Sequence, residues 1–159
     1  MSFSPQSKIW IYQSNRPFTN DEMPAIQQKL DDFTSQWKAH GHQLKAKAEI
    51  LHQFFIVFTV DETAAGVTGC SIDASVRIIK DIEQAYKLDL FDRFNIAYKI
   101  GDQVIVTNKE DFETLVSIKT VGPKTIVFNN MVQNLQEFEN KWETTFEESW
   151  HSKVFALKV

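Results

Sequence analysis

Apolar and polar residues follow two different periods along this chain, and these periods predict its secondary structure. Short apolar or alternating runs predict strands at residues 8–13, 44–50, 54–60, 94–100, 103–107 and 125–128. Apolar residues spaced by three and four positions predict helices at residues 21–40, 71–86, 109–116 and 135–150. We expect the last helix to be interrupted or to end early at Thr144-Thr145, since threonine loses side-chain freedom in a helix.

The order of the first six elements predicts the fold class. Strand, helix, strand, strand, helix and strand is the split β-α-β plan of a ferredoxin-like sandwich. This chain would extend that plan with a hairpin strand, a short helix and a C-terminal segment, so we expect an α+β fold. No Pro-, Gly- or Ser-rich linker and no repeat divides the sequence, so residues 1–159 are expected to form a single domain.

Residue types near the first predicted helix indicate where it begins and ends. Thr19 and Glu22 have the spacing of a capping box. That start would place Pro24 where a backbone N–H is needed, so a start near Asp21 is expected instead. Gly41 is expected to end the helix, because glycine readily adopts the left-handed conformation of a helix end.

Composition and charge narrow the classes of function. The chain has 159 residues, 43% of them hydrophobic, and its single cysteine excludes a disulfide framework and a cysteine-rich metal site. Its formal net charge of −4 argues against nucleic-acid binding, which usually needs a basic surface. No apolar run reaches the roughly 18 residues of a membrane-spanning helix, and the first residues form no apolar signal segment. We therefore expect a soluble cytoplasmic protein that binds neither nucleic acid nor membranes.

Residues 66–73 contain two glycines, lead into the second predicted helix and form the first candidate site. Ser71 is expected to cap that helix, and the N–H groups of a helix start can hold an anion. The candidate ligand-binding residues are Gly66, Gly69, Ser71, Asp73 in the first helical turn, Arg77 and Arg16. A simple turn with an ordinary helix cap explains the same residues, so both interpretations stay open. No lysine follows Gly69 as a Walker A loop requires, so nucleotide hydrolysis is not expected here.

The single cysteine, Cys70, is the second candidate, because a helix start stabilises a thiolate. A nucleophile also needs a base, and a ferredoxin-like plan would bring the end of the first helix, with His40 and His42, to the same edge. Cys70, His40 and His42 are therefore the candidate catalytic residues. The alternative is that Cys70 is a small buried hydrophobic residue. The His40-Gly41-His42 turn does not specify a ligand geometry, so we predict no metal, and we predict no cofactor.

Several segments of the chain resemble a family of small uncharacterised bacterial proteins. The segments are IWIYQSNR at 9–16, GCSIDASVR at 69–77, LFDRFN at 90–95, FNN at 128–130 and SWH at 149–151, and the likeness covers nearly the whole chain. Some members carry the label "ABC transporter ATPase". This sequence has no Walker A loop, no Walker B strand ending in paired acids and no LSGGQ-like signature. The resemblance therefore implies no ATPase activity and no catalytic residues.

Three classes of function follow from these observations. The first is a binding or accessory domain that recognises a small anionic ligand or a protein partner at residues 66–73. The second is an enzyme that uses Cys70 as a nucleophile or redox thiol with a nearby histidine. The third is an interaction protein that docks through its aromatic C-terminal segment. The sequence leaves the oligomeric state open.

Overall fold

The structure, a computed structural model, describes residues 2–155. Their contacts group into two compact units, residues 2–91 with 133–136 and residues 92–132 with 137–155. A single domain over residues 1–159 stays a prediction. No helix within residues 2–155 is long and apolar enough to cross a membrane.

The first unit combines one three-stranded sheet, a small two-stranded sheet and two long helices. In chain order its elements are β1 (Lys8–Gln13), α1 (Glu22–Gln36), β2 (Lys38–Ala39), β3 (His42–Gln43), β4 (Lys45–Leu51), β5 (Phe55–Asp61) and α2 (Gly69–Tyr86). The larger sheet has the order β1-β5-β4, and both neighbouring pairs are antiparallel. The outer strands β1 and β4 therefore run parallel to each other on either side of β5, and α1 lies between them in the sequence.

The core of the first unit lies between this sheet and both long helices. All seven residues of β5 are buried, as the apolar run at 54–60 predicts for a strand covered on both faces. Ile56, Phe58 and Val60 share one face of β5 and belong to a single cluster with Ile26 and Leu30 of α1 and Ile79 and Ile82 of α2. Burial of these side chains, each stabilising by roughly 1.5–3 kcal/mol, holds both helices on the sheet.

The second unit is built on a four-stranded antiparallel sheet. Its elements are β6 (Ile96–Ile100), β7 (Gln103–Thr107), α3 (Lys109–Ser117), β8 (Ile126–Phe128), α4 (Leu135–Lys141), β9 (Glu143–Thr145), a 3-10 turn (Phe146–Glu148) and α5 (His151–Val154). The first two residues of α4 belong to the first unit. The strand order is β7-β6-β8-β9. The predicted Gly101-Asp102 turn joins β6 to β7, and the predicted Asn108 cap begins α3 by accepting from the Asp111 N–H at 2.8 Å.

Phe112 of α3 is the centre of the second unit's core. Its ring lies 4.9 Å from the Phe155 ring, 5.8 Å from that of Tyr98 and 6.2 Å from that of Phe146, measured between centroids. Phe112 has no exposed surface, and Phe146 is 1% exposed. The aromatic residues of the C-terminal segment therefore include core residues of this unit.

Several predicted boundaries were wrong. The first helix ends at Gln36 and not at Gly41, because Trp37 turns the chain into β2 and the pair His40-Gly41 forms the turn to β3, with φ of +51° and +78°. The predicted helix at 135–150 ends at Lys141 and gives way to β9. The interruption expected at Thr144-Thr145 is confirmed, since both residues lie in that strand.

The α+β class is confirmed. The predicted fourth strand of the ferredoxin-like sheet does not join the first sheet, because β6 pairs with β7 and β8 in the second unit. Residues 133–135 lie along the free edge of β1 instead. The Ile9 N–H donates to the Gln133 carbonyl at 3.1 Å, and the Leu135 N–H donates to the Ser7 carbonyl at 2.9 Å.

Candidate functional site

The helix α2 begins with a capping box formed by Thr68 and Ser71, in which Thr68 and not Ser71 is the N-cap. Thr68 is the N-cap, and its hydroxyl accepts from the Ser71 N–H at 3.2 Å. The Ser71 hydroxyl accepts from the Thr68 N–H at 2.7 Å and donates to the Thr68 carbonyl at 2.9 Å. The prediction that Ser71 is the cap was therefore wrong by three positions. Ser71 is buried and its hydroxyl is engaged in the cap, so it is poorly placed to bind a ligand.

The loop before this helix is organised around an internal carboxylate. Glu62 Oε2 accepts from the Val67 N–H at 2.8 Å, and Glu62 Oε1 lies 3.3 Å from Lys8 Nζ. A Cβ at Gly66 would lie 3.0 Å from Glu62 Oε2, so the absence of a side chain there lets the loop close over the carboxylate. Gly66 therefore serves the internal contact with Glu62.

Asp61 at the end of β5 joins the start of this loop to the N-terminal segment. Its carboxylate accepts from the Thr63 hydroxyl at 2.5 Å, the Thr63 N–H at 2.9 Å and the Ser4 N–H at 2.9 Å. Lys45 Nζ lies 3.5 Å away. The pKa of Asp61 is held well below its usual value, first by the Thr63 hydroxyl and then by the two N–H groups and Lys45. Asp61 is therefore ionised and fixes the N-terminal segment to the loop.

The first turn of α2 keeps an exposed surface. Gly69 and Cys70 are both exposed and occupy the first two helical positions, whose N–H groups have no partner within a helix. No acceptor for either N–H lies within residues 2–155. Asp73 and Arg77 are exposed on the same helix. The prediction that Asp73 lies in the first turn was wrong, because α2 begins at Gly69 and Asp73 lies in the second turn.

Arg16 is held by internal partners on one side of the first unit. Its guanidinium donates to both carboxylate oxygens of Glu22 at 2.9 Å and to the Tyr86 carbonyl at 2.7 Å. Glu22 also makes the capping-box contacts with Thr19. Its carboxylate accepts from the Thr19 N–H at 2.9 Å, and its backbone N–H donates to the Thr19 hydroxyl at 3.1 Å. Arg16 lowers the pKa of Glu22 from 4.5 to about 2. Arg16 therefore joins a loop to two helices, a role that leaves little of its charge for a ligand.

The candidate thiol is exposed, so the interpretation of Cys70 as a buried hydrophobic residue is wrong. The hairpin of β2 and β3 approaches the same end of α2, because Trp37 Nε1 donates to the Ser71 carbonyl at 2.8 Å and β2 packs against α2. The exposed residues His40 and His42 are carried by that hairpin, one in its turn and one at the start of β3. The structure thus brings the hairpin and the start of α2 together, and a direct contact between Cys70 and either histidine stays a prediction.

A buried serine–histidine pair in the second unit was not predicted. Ser149 Oγ lies 2.6 Å from His151 Nδ1, and the two residues are 3% and 1% exposed. The Trp150 ring stacks on the imidazole at 3.8 Å between centroids. Burial lowers the pKa of His151 from 6.5 to about 4, so the ring is neutral at neutral pH. A substrate has no access to a pair this deeply buried, and the spacing Ser-x-His alone gives no signal of the burial.

No group of three His, Cys, Asp or Glu side chains in residues 2–155 is arranged to hold a metal ion. No family model, curated protein or solved structure matches this chain.

Proposed function

We propose that this protein is a binding module that recognises a carboxylate of a partner protein at the exposed start of α2. The observation that supports it most is the pair of open N–H donors at Gly69 and Cys70. The N–H groups of Val67, Thr68 and Ser71 have acceptors inside the chain, through the Glu62 carboxylate and the Thr68–Ser71 capping box. The Gly69 and Cys70 donors point from a helix start, where the dipole favours a negative group.

The charges around this turn favour a carboxylate over a phosphate. Glu62 lies in the preceding loop and Asp73 follows on the helix, so a doubly charged anion would meet two like charges. Arg77 is the exposed positive side chain nearest in sequence, two turns into the helix. Ile72, which is 37% exposed, adds apolar surface beside the donors. A carboxylate on a protein surface supplies one negative charge together with apolar contacts, and therefore fits both features.

The test uses acetate and inorganic phosphate as probes in an NMR titration that follows the amide signals of Gly69 and Cys70. We expect saturable shifts of both signals with acetate and weaker ones with phosphate. Gly69→Pro should abolish the acetate response at Cys70, because proline removes one donor while remaining well suited to the first helical position. Gly69→Ala is the matched control: it keeps the N–H, and its Cβ would meet no atom within 4 Å. An unchanged response in Gly69→Pro, or no saturable shift in the wild type, would overturn the proposal.

The second candidate function is thiol chemistry at Cys70, and the exposure of this cysteine on the same turn favours it. The hairpin that carries His40 and His42 approaches this end of α2, which supports a histidine as the base. The test is the alkylation rate of the folded protein at about pH 6, where an ordinary thiol reacts slowly. A rate well above that of a free thiol, reduced by His40→Gln or His42→Gln, supports this candidate. A rate equal to that of a free thiol rejects it.

We also propose a ferredoxin-like arrangement for the first unit and a cytoplasmic accessory role for the protein. The order β1-β5-β4 with its two helices corresponds to three strands and both helices of a ferredoxin-like sandwich, with residues 133–135 beside β1 where a fourth strand would lie. The sequence has no Walker A loop, no Walker B strand ending in paired acids and no LSGGQ-like signature, which supports an accessory role rather than ATP hydrolysis.

A further inference from the structure

The sheet edges of this protein are protected in different ways. Residues 133–135 cover the edge of β1 through backbone hydrogen bonds. The edge strand β4 carries Lys45, Lys47 and Glu49, and the Gln27 side chain donates to its Ala48 carbonyl at 2.8 Å. The edge strand β9 has three residues, and its Glu143 pairs with Lys99. Cover, charge and shortness are the usual devices that keep a sheet edge from pairing with another chain.

Within residues 2–155, the strand β7 has none of these protections. Its five residues, QVIVT, include three β-branched aliphatic residues and contain neither a charged residue nor a proline. It is the terminal strand of its sheet and pairs with β6 on one side only. Such an edge has a strong tendency to add another strand.

The register with β6 determines which backbone groups of β7 face outward. Ile100 and Gln103 flank the two-residue turn and form a hydrogen-bonded pair, so the Tyr98–Ile105 and Ile96–Thr107 pairs are hydrogen-bonded as well. The N–H and C=O groups of Val104 and Val106 therefore point away from β6. No partner for them lies within residues 2–155, and both side chains are half-buried.

We propose that β7 pairs in antiparallel fashion with β7 of a second copy of this chain, centred on Ile105. This register places Val104 opposite the partner's Val106 and Val106 opposite the partner's Val104. The outward groups of each facing pair can then exchange both backbone hydrogen bonds. The strand is thus complementary to itself, which a two-fold dimer requires.

The ends of the paired strands also carry complementary charges. The same register sets the turn residue Asp102 against residue 108 of the second copy, next to Lys109 at the start of α3. Both Asp102 and Lys109 are exposed. Two-fold symmetry repeats the contact at the other end, so each dimer would contain two Asp102–Lys109 attractions. This complementarity favours a second copy over an unrelated extended peptide.

The first experiment is sedimentation equilibrium of the full chain over a range of concentrations, with a set of edge variants. We expect a monomer–dimer equilibrium. Val104→Pro should raise the dimer dissociation constant at least about tenfold, because it removes an outward donor from each copy and no β6–β7 hydrogen bond. Val104→Thr is the matched control, since it keeps the N–H and the β-branched shape, and it should leave the constant nearly unchanged. If Val104→Pro fails to fold, Val106→Lys tests the same edge by placing a charge on it.

Charge exchange and hydrogen exchange test the register itself. Asp102→Lys should weaken the dimer, and the double variant Asp102→Lys with Lys109→Asp should restore it. At low concentration the Val104 and Val106 amides should exchange much faster than the Gln103 and Ile105 amides, and dimerisation should slow them selectively. A chain that stays monomeric at high concentration overturns the proposal. So does a dimer whose constant is the same in Val104→Pro and Val106→Lys, or one without selective protection at these two amides.

Discussion

The second unit contains a histidine whose burial predicts a specific loss of stability in mild acid. His151 is 1% exposed, contacts the rings of Trp150 and Phe112, and has the Ser149 hydroxyl as its polar neighbour at Nδ1. Burial of the ring lowers its pKa from 6.5 to about 4. In the unfolded chain the ring regains its ordinary pKa, so the unfolded state takes up a proton at a pH where the folded state does not.

The sign and size of the effect follow from this difference. The stability contributed by neutral His151 is fully present above about pH 6.5 and is lost as the pH falls toward about 4. Proton linkage at this single site gives a loss of about 2 kcal/mol between about pH 7 and about pH 5. The full difference in pKa corresponds to about 3 kcal/mol, at about 1.4 kcal/mol per pKa unit. This is a large fraction of the stability of an ordinary domain.

The assay compares urea unfolding at about pH 7 and about pH 5 in the wild type and in His151→Gln. Glutamine has no proton to gain in this range, so the variant should be less stable at about pH 7 but should lose much less on acidification. His42→Gln is the matched control, because it makes the same substitution at an exposed histidine instead of the buried one. An NMR titration of the His151 ring protons measures the folded-state pKa directly.

Two results would refute this reasoning. One is an equal loss of unfolding free energy in the wild type and in His151→Gln between the two pH values. The other is a His151 ring that titrates near 6.5 in the folded protein. Groups whose pKa lies lower, such as Glu22 and Asp61, act mainly below this window and are the same in both proteins. They therefore cancel in the comparison.

Three further substitutions test other parts of the structure by urea unfolding. Glu22→Gln should lower the free energy of unfolding by about 1–2 kcal/mol at neutral pH, because it weakens the paired hydrogen bonds to Arg16 and the helix cap. The variant should also lack the loss of stability that the wild type shows as the pH falls from 4.5 toward about 2. An acid profile that is the same in both proteins would contradict this. Lys87→Gly should stabilise the protein by about 1 kcal/mol, since Lys87 ends α2 at φ +54°, and a destabilised variant would count against it. Phe112→Ala should lower the free energy of unfolding by about 3–5 kcal/mol, and Phe112→Leu should lower it clearly less, because leucine fills more of the space of the ring. Similar losses in both variants would show that the lost volume is not the cause.

Local sequence pattern was sufficient for elements whose partners lie close in the chain. The β4–β5 hairpin, the Gly101-Asp102 turn and the Asn108 cap depend on neighbouring residues, and all three are confirmed. The burial of β5 on both faces also follows from its own composition, because residues 54–60 contain no charged residue. Such an uncharged, mainly apolar run suits a central strand. These features have low contact order, so the sequence around them contains most of the information.

The sequence was less informative where contacts from other parts of the fold decide which local structure forms. The sequence predicts a helix end at Gly41, but His40 adopts a positive φ beside it and the two residues form the turn of a hairpin. The helix start expected near Asp21 is confirmed, since α1 begins at Glu22 with Asp21 as its N-cap. The capping-box contacts between Thr19 and Glu22 are not expected from the sequence because of Pro24. In the structure Arg16 holds Glu22 in place, and both capping contacts form. The contact with Arg16 comes from outside the helix, so the helix sequence alone does not show it.

The candidate site also depends partly on local sequence and partly on contacts from the rest of the fold. A glycine-containing loop before a helix predicts open donors, but the number left open depends on which acceptors the fold supplies. Here Glu62 accepts from the Val67 N–H, and Thr68 and Ser71 satisfy each other in the cap. In the first two positions of α2, the N–H groups of Gly69 and Cys70 have no acceptor within residues 2–155. In β7, the outward N–H and C=O groups of Val104 and Val106 likewise have no partner within residues 2–155. A polar backbone group that the fold leaves without a partner is satisfied by water or by another molecule. These two places are therefore where binding is best sought, and Gly69→Pro and Val104→Pro each remove one such donor while their controls keep it.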